Sequence, residues 1–214
     1  MEKHALVSGG TGLIGKHLCQ KLAKDQDFAS VTSLVRRKNT EDIDNLTEVV
    51  VNFDDLSNAE IPEQITDAFC CLGTTMKKAG SKEAFYKVDF EYVLAFAKLA
   101  LEKGAQNFYI VTSMGADAKS LIYYNKVKGE VEDALKEISF KSLHIFRPSM
   151  LLGDREESRL GESIGKFVFG IFEPLLPSNY KGIAGEQVAE AMVKNSKLNE
   201  AGTHIYLSGE IAEM

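Results

Sequence analysis

The sequence predicts an α/β fold built on a doubly wound parallel sheet. Three observations carry that reading. Short apolar runs alternate with longer helical patterns along the chain. A glycine-rich turn, "SGGTGLIG" at residues 8–15, joins the first apolar run to the first helical pattern. One run, "DAFCCLG", is apolar throughout, as a strand covered on both faces must be.

The elements follow in order. "ALVSG" is the first strand, and "LIGKHLCQKLAKD" is a helix with Leu13, Leu18 and Leu22 on one stripe. "FASVTSLVRR", "EVVVNF" and "DAFCCLG" are the second to fourth strands. A long helix spans "KEAFYKVDFEYVLAFAKLALEKG" and stops at Gly104. Its "YVLAFAKLAL" stretch is apolar nearly all round, which suits burial on two sides, including in a homodimer or against a protein partner. "NFYIVTS" is the fifth strand. "YYNKVKGEVEDALKEI" is a helix with Val127, Val131, Ala134, Leu135 and Ile138 on one face. "SLHIFRPS", "GEQVAEAMVKN" and "THIYLSG" add a sixth strand, a short helix and a last strand. The chain, residues 1–214, reads as a single domain.

Bulk properties narrow the function. A net charge of −6 argues against a general nucleic-acid or acidic-membrane binder. No charged region precedes a long apolar run, and no apolar run reaches the ~20 residues of a membrane span. The cysteines, Cys19, Cys70 and Cys71, have no metal spacing; Cys70 and Cys71, inside an apolar run, read as small buried hydrophobes in a reducing, cytoplasmic setting rather than as a vicinal redox pair.

In such sheets ligands bind beyond the carboxyl ends of the strands, so the residues there are the candidates. After the first strand, Gly9, Gly12 and Gly15 read G-x-x-G-x-x-G, and Gly10, Gly12 and Gly15 also fit G-x-G-x-x-G. A glycine permits the sharp turn, another lets backbone approach a pyrophosphate, and the last lets helix and strand pack closely. The anion then faces free N–H groups at the helix N-terminus. After the second strand come Arg36, Arg37 and Lys38, where an NAD site places an acid. An arginine fork suits a 2′-phosphate, so NADP(H) is expected. Asp55 either accepts from an adenine amino group or serves a turn. "LGTT" offers Leu72, Gly73 and Thr74, where backbone can run past a cofactor.

The fifth strand ends at Ser113, and Tyr124 and Lys128 lie four apart on the following helix, so they share a face. A phenol has a pKa of about 10, and a neighbouring ammonium lowers it. Tyr124 can then exchange a proton with a carbonyl or alcohol oxygen while a nicotinamide exchanges hydride, with Ser113 bonding the same oxygen.

Taken together, "VSGGTGLIG", "VTSMGA", "YNKVKGE" and "FRPSMLLGDREESR" resemble the short-chain dehydrogenase/reductase superfamily, a Rossmann-fold family, in its atypical branch. "KGEVE" and "DREESR" point to the subgroup of the mammalian Tat-interacting protein and its bacterial relatives. The resemblance covers nearly the whole chain. It implies that Gly9, Gly12 and Gly15 bind phosphate, with backbone contacts from Thr11, Leu13 and Ile14. It implies that Arg36 and Arg37 select NADP and that Asp55 is the adenine-side acid. Ser113, Tyr124 and Lys128 match the catalytic set, and Pro148 and Ser149 the segment beside the nicotinamide amide. Two features depart from larger members. Asp89 stands where many carry an Asn that supports a water relay behind the lysine, and the C-terminal part is short.

Residues 150–184 form the variable, substrate-side segment. Arg155 or Arg159 either holds an anionic substrate or pairs with Glu156 and Glu157. The apolar run at 163–177 either roofs the pocket, packs as core or offers a docking patch. The leading functional expectation is an NADP(H)-dependent oxidoreductase acting on a small carbonyl or alcohol. The alternatives are a non-catalytic NADP(H)-binding redox sensor and an epimerase or dehydratase that recycles its nicotinamide.

Overall fold

The computed structural model describes residues 2–39, 42–152, 177–198 and 200–214. Its centre is a seven-stranded sheet in the order β3-β2-β1-β4-β5-β6-β9. The strands are β1 (Lys3–Ser8), β2 (Phe28–Val35), β3 (Leu46–Val50), β4 (Asp67–Cys70), β5 (Asn107–Val111), β6 (Ser142–Arg147) and β9 (Gly202–Leu207). Every neighbouring pair is parallel. A separate two-stranded pair joins β7 (Leu151–Leu152) to β8 (Ile183–Ala184). The strand order reverses between β1 and β4, and the crevice above that switch point is where the fold can hold a ligand.

Alternation along the strands builds two cores. In β5, Phe108 and Ile110 face one cluster with Phe96, Val131 and Leu135, while Tyr109 and Val111 face the other with Leu18, Leu22 and Met192. The first layer is covered by α4 (Tyr92–Glu102) and α5 (Tyr123–Lys136), the second by α1 (Leu13–Lys24) and α6 (Gly185–Ser196). A final helix, α7 (Ser208–Glu213), follows β9 directly.

The long helix predicted from residue 82 is present but not uniform. α3 (Lys82–Tyr86) runs through a π-helical turn at Lys87–Glu91 into α4. The inserted residue of a π-turn rotates the helix face locally, and here it brings Asp89 fully inside. A short helix, α2 (Met76–Ala79), precedes it, capped by the Thr75 hydroxyl; the sequence pattern did not show it. The α4 face is mostly covered by the fold's own core: Val93, Phe96, Ala97, Leu99 and Ala100 are buried. Arg155, Arg159 and nearly all of the apolar run at 163–177 lie outside the described residues.

A polar chain crosses β5, β6 and β9. His144 is buried, stacked between Tyr109 and His204. The Ser142 hydroxyl donates to the Glu200 carbonyl, so it accepts from His144 Nε2 at 2.8 Å, and Nδ1 accepts from the Tyr206 hydroxyl at 2.9 Å. This arrangement suits the neutral imidazole. Burial, and then His204, push the His144 pKa from 6.5 down to about 4. Between those values the unfolded chain binds a proton that the folded chain refuses. Stability therefore rises with pH across the window and falls as pH drops through it, by roughly 3 kcal/mol when complete. Urea unfolding at about pH 7 and about pH 4.5 checks this. The wild-type protein should lose more stability between the two than His144→Phe, and equal losses would show that His144 does not titrate this way.

Candidate active site

The first turn is shaped by close approach. Gly9 has φ +77°, and a Cβ on it would lie 2.5 Å from the Cys71 carbonyl carbon at the end of β4. A Cβ on Gly15 would lie 2.1 Å from the Gly9 carbonyl oxygen, so the first turn of α1 is seated directly on the loop. The Gly12 N–H donates to Gly9 O at 3.0 Å, closing the turn. Gly12 caps α1 with no side-chain hydrogen bond, and the first turn carries no acidic residue. The N–H groups there are left facing outward with the positive end of the helix dipole, which is the requirement for an anion.

These residues open onto a cavity of about 900 Å³. Thr11, Gly12, Leu13 and Ile14 form one wall, Leu72, Gly73 and Thr74 the opposite one, and Tyr124 and Lys128 the floor toward α5. A second depression of about 310 Å³ continues from it, sharing Thr11, Gly12 and residues 71–74, and reaches Gly9, Arg36, Phe53 and Tyr92. The two together run from the end of β2 across the switch point to α5.

α5 organises the chemistry through a line of residues four apart. Tyr124 faces the cavity. One turn on, Lys128 is buried, and its Nζ lies 2.7 Å from Asp89 Oδ1. Asp89 Oδ2 accepts from the Thr74 N–H at 2.9 Å. Another turn on, Glu132 is buried beneath the end of β5, where it accepts from Thr112 Oγ1 at 2.5 Å and from Arg147 Nε at 3.1 Å. Burial pulls the Lys128 ammonium toward neutrality. Asp89, then the Tyr124 phenol, outweigh it and hold the lysine pKa above its ordinary value. The loop after β5 is tied to α5 by the Asp117 N–H, which donates to the Asn125 carbonyl at 3.0 Å.

The remaining candidates divide. Arg36 and Arg37 are exposed and make no ion pair among the described residues; Arg36 lines the second depression and Arg37 lines neither space. Asp55 lines neither. Its carboxylate accepts from the Ser57 hydroxyl at 2.6 Å and the Ser57 N–H at 3.1 Å, contacts that lower its pKa, so here it serves the turn. Ser113 Oγ is buried with no hydrogen-bond partner among the described residues, and Ser113 does not line the cavity, whereas Val111 and Thr112 just before it do. The Pro148 carbonyl accepts from the Met114 N–H, and the Ser149 N–H donates to Ser208 Oγ; neither residue lines the cavity, whereas Leu151 does. Cys70 is buried as expected, but Cys71 is half-buried at the cavity wall. Burial, then Cys70 and Cys19, push the Cys71 thiol well above its ordinary pKa, which disfavours its thiolate. Lys16, His17 and Lys78 also line the cavity. The first two follow the last motif glycine on α1, so their place was readable; Lys78 sits on the unpredicted α2.

This turn, on this sheet, defines a dinucleotide-binding protein of the Rossmann type. A family described as NAD(P)H-binding matches residues 9–197, and the chain belongs to it. The protein HTATIP2 of Rattus norvegicus is 39% identical over 197 residues, covering 90% of this chain and 81% of its own. The protein FMP52, mitochondrial, of Eremothecium gossypii is 34% identical over 218 residues, covering 99% and 96%. In fold the chain is similar to MoeE5, solved with UDP-glucuronic acid and NAD, at TM-score 0.74 and 14% identity, covering 96% of this chain and 76% of that one. It is also similar to a short chain dehydrogenase family protein from Francisella tularensis, at TM-score 0.66 and 14% identity, covering 99% and 100%.

The relatives correct one expectation. The FMP52 proteins of Eremothecium gossypii, Candida albicans and Emericella nidulans are all named mitochondrial, which overturns the cytoplasmic reading. Reduced cysteines do not distinguish one thiol-reducing compartment from another, so that signal carried no address. Among the described residues no helix is long and apolar enough to cross a membrane.

Proposed function

We propose that the protein is an NADP(H)-dependent oxidoreductase that interconverts a small carbonyl compound and its alcohol. The observation that carries this reading is the sharing of one cavity: Tyr124 and Lys128 open onto the same space as Gly12, Leu13, Gly73 and Thr74. When bound, the nicotinamide supplies or accepts the hydride. The free N–H groups at the start of α1 hold its diphosphate, and Arg36, which has no carboxylate partner among the described residues, holds the 2′-phosphate. Tyr124 Oη gives its proton to the carbonyl oxygen as the alkoxide charge develops. The Lys128 ammonium, one helical turn below, stabilises the phenolate left behind. Ser113 directly follows Val111 and Thr112 of the cavity wall, and its Oγ, with no hydrogen-bond partner among the described residues, turns to donate to the same substrate oxygen. The chain acts as one domain, and Leu151, at the cavity wall, begins its substrate side.

Two measurements test this. NADPH consumption across a panel of aldehydes, ketones and quinones should identify a substrate. Tyr124→Phe should then lower kcat by about 10²–10⁴-fold, with NADPH affinity retained. Turnover that survives this substitution would remove Tyr124 as the acid. Arg36→Asp should reduce the preference for NADPH over NADH by about tenfold or more, since a charge-assisted contact is lost and a repulsion is introduced. An unchanged ratio, read by fluorescence titration of both cofactors, would show that Arg36 does not select the 2′-phosphate.

A further inference from the structure

Lys128 is an unusual place to keep a positive charge. Its side chain is 6% exposed, and a buried ammonium with no counter-charge sheds its proton. The titratable groups that face it are Asp89 from the π-turn, Tyr124 from its own helix and Cys70 from β4. Asp89 is the one carboxyl group among them, and burial pushes the Cys70 thiol up. Asp89 is itself fully buried, anchored through Oδ2 by the Thr74 N–H, with Oδ1 turned to Lys128. Among the described residues Oδ1 has no aligned hydrogen bond, and it meets Lys128 Nζ at 2.7 Å as a charge pair. Gly73 lies over the pair: a Cβ there would be 3.5 Å from Asp89 Oδ1 and 3.7 Å from Lys128 Nζ. The pair is thus roofed by the loop after β4 that lines the cavity, with no side chain at Gly73 between.

From this geometry we infer that Asp89 is a positioning residue: it holds the Lys128 ammonium in place and in its charged form beneath Tyr124, bridging from the Thr74 backbone where a neutral amide could not supply the counter-charge. The inference rests on the reading of Tyr124 and Lys128 as the proton-handling pair. Its structural half is testable without any turnover. The π-turn is what makes this possible. A regular helix through residues 87–91 would point position 89 elsewhere, because the extra residue in the turn sets its direction.

The test is the titration of Lys128 itself in the full chain. Lysine is labelled with ¹³C, its Cε signal is assigned with Lys128→Arg, and the shift is followed from about pH 6 to about pH 11. In the wild-type protein Lys128 should titrate at or above the ordinary lysine value. In Asp89→Asn it should titrate at least about one unit lower, and Asp89→Glu should restore most of the difference. A wild-type Lys128 that titrates below ordinary lysines overturns the inference even if Asp89→Asn does not fold. So does an Asp89→Asn protein whose Lys128 titrates unchanged. Where turnover is found, the alkaline limb of its pH profile should move down with Lys128 in Asp89→Asn. A limb that stays put while Lys128 moves would overturn the link to Tyr124. An absence of turnover on every carbonyl tested would count against the oxidoreductase reading and leave the Lys128 titration as the judge of this one.

Discussion

Everything at the carboxyl edge of the sheet depends on how closely the turn after β1 passes the end of β4. There is no room for a side chain between Gly9 and the Cys71 carbonyl, and the Cys71 N–H donates back to Ser8 O at 2.9 Å. This contact fixes the start of α1 against the strand that continues into Gly73 and Thr74. Those residues in turn fix Asp89, and Asp89 fixes Lys128. A chain of short contacts therefore runs from the anion-facing helix N-terminus to the helix that carries Tyr124. Loosening its first link would displace the rest.

α5 is the second fixed element. Its inward face presents a phenol, an ammonium and a carboxylate at successive turns, and each has a different environment. Tyr124 meets the cavity, Lys128 meets Asp89, and Glu132 meets Arg147 and Thr112. Each buried charge is paired, as the cost of desolvating an ion requires. The Glu132 pair has a positional consequence as well. It pins the strand end next to Ser113 to the same helix that carries Tyr124, so the spacing of those two residues is set by a buried ion pair outside the cavity.

Much of this was legible in the sequence, and what was not has physical reasons. The strands and main helices follow from apolar period, and the glycine turn, Tyr124 and Lys128 follow from spacing within single elements. Asp89 was visible as a departure from the family pattern, but its partner is 39 positions away, and only topology brings them together. The π-turn leaves no trace in a 3.6-residue period because it adds one residue without changing composition. α2 is a single helical turn, too short for periodicity to register. Asp55 could equally serve adenine or a turn, and the turn is what its carboxylate contacts. The compartment was misjudged because charge and cysteine content report on partners and redox state rather than address.

The central claim is that one continuous groove holds the whole cofactor and delivers its nicotinamide to Tyr124. A crystal structure of the protein with NADP⁺ tests it most directly. The account predicts the 2′-phosphate at Arg36, the diphosphate over the N–H groups of Leu13 and Ile14, and the nicotinamide ring facing Tyr124 Oη with Lys128 still paired to Asp89. A cofactor whose nicotinamide lies away from Tyr124 would contradict it.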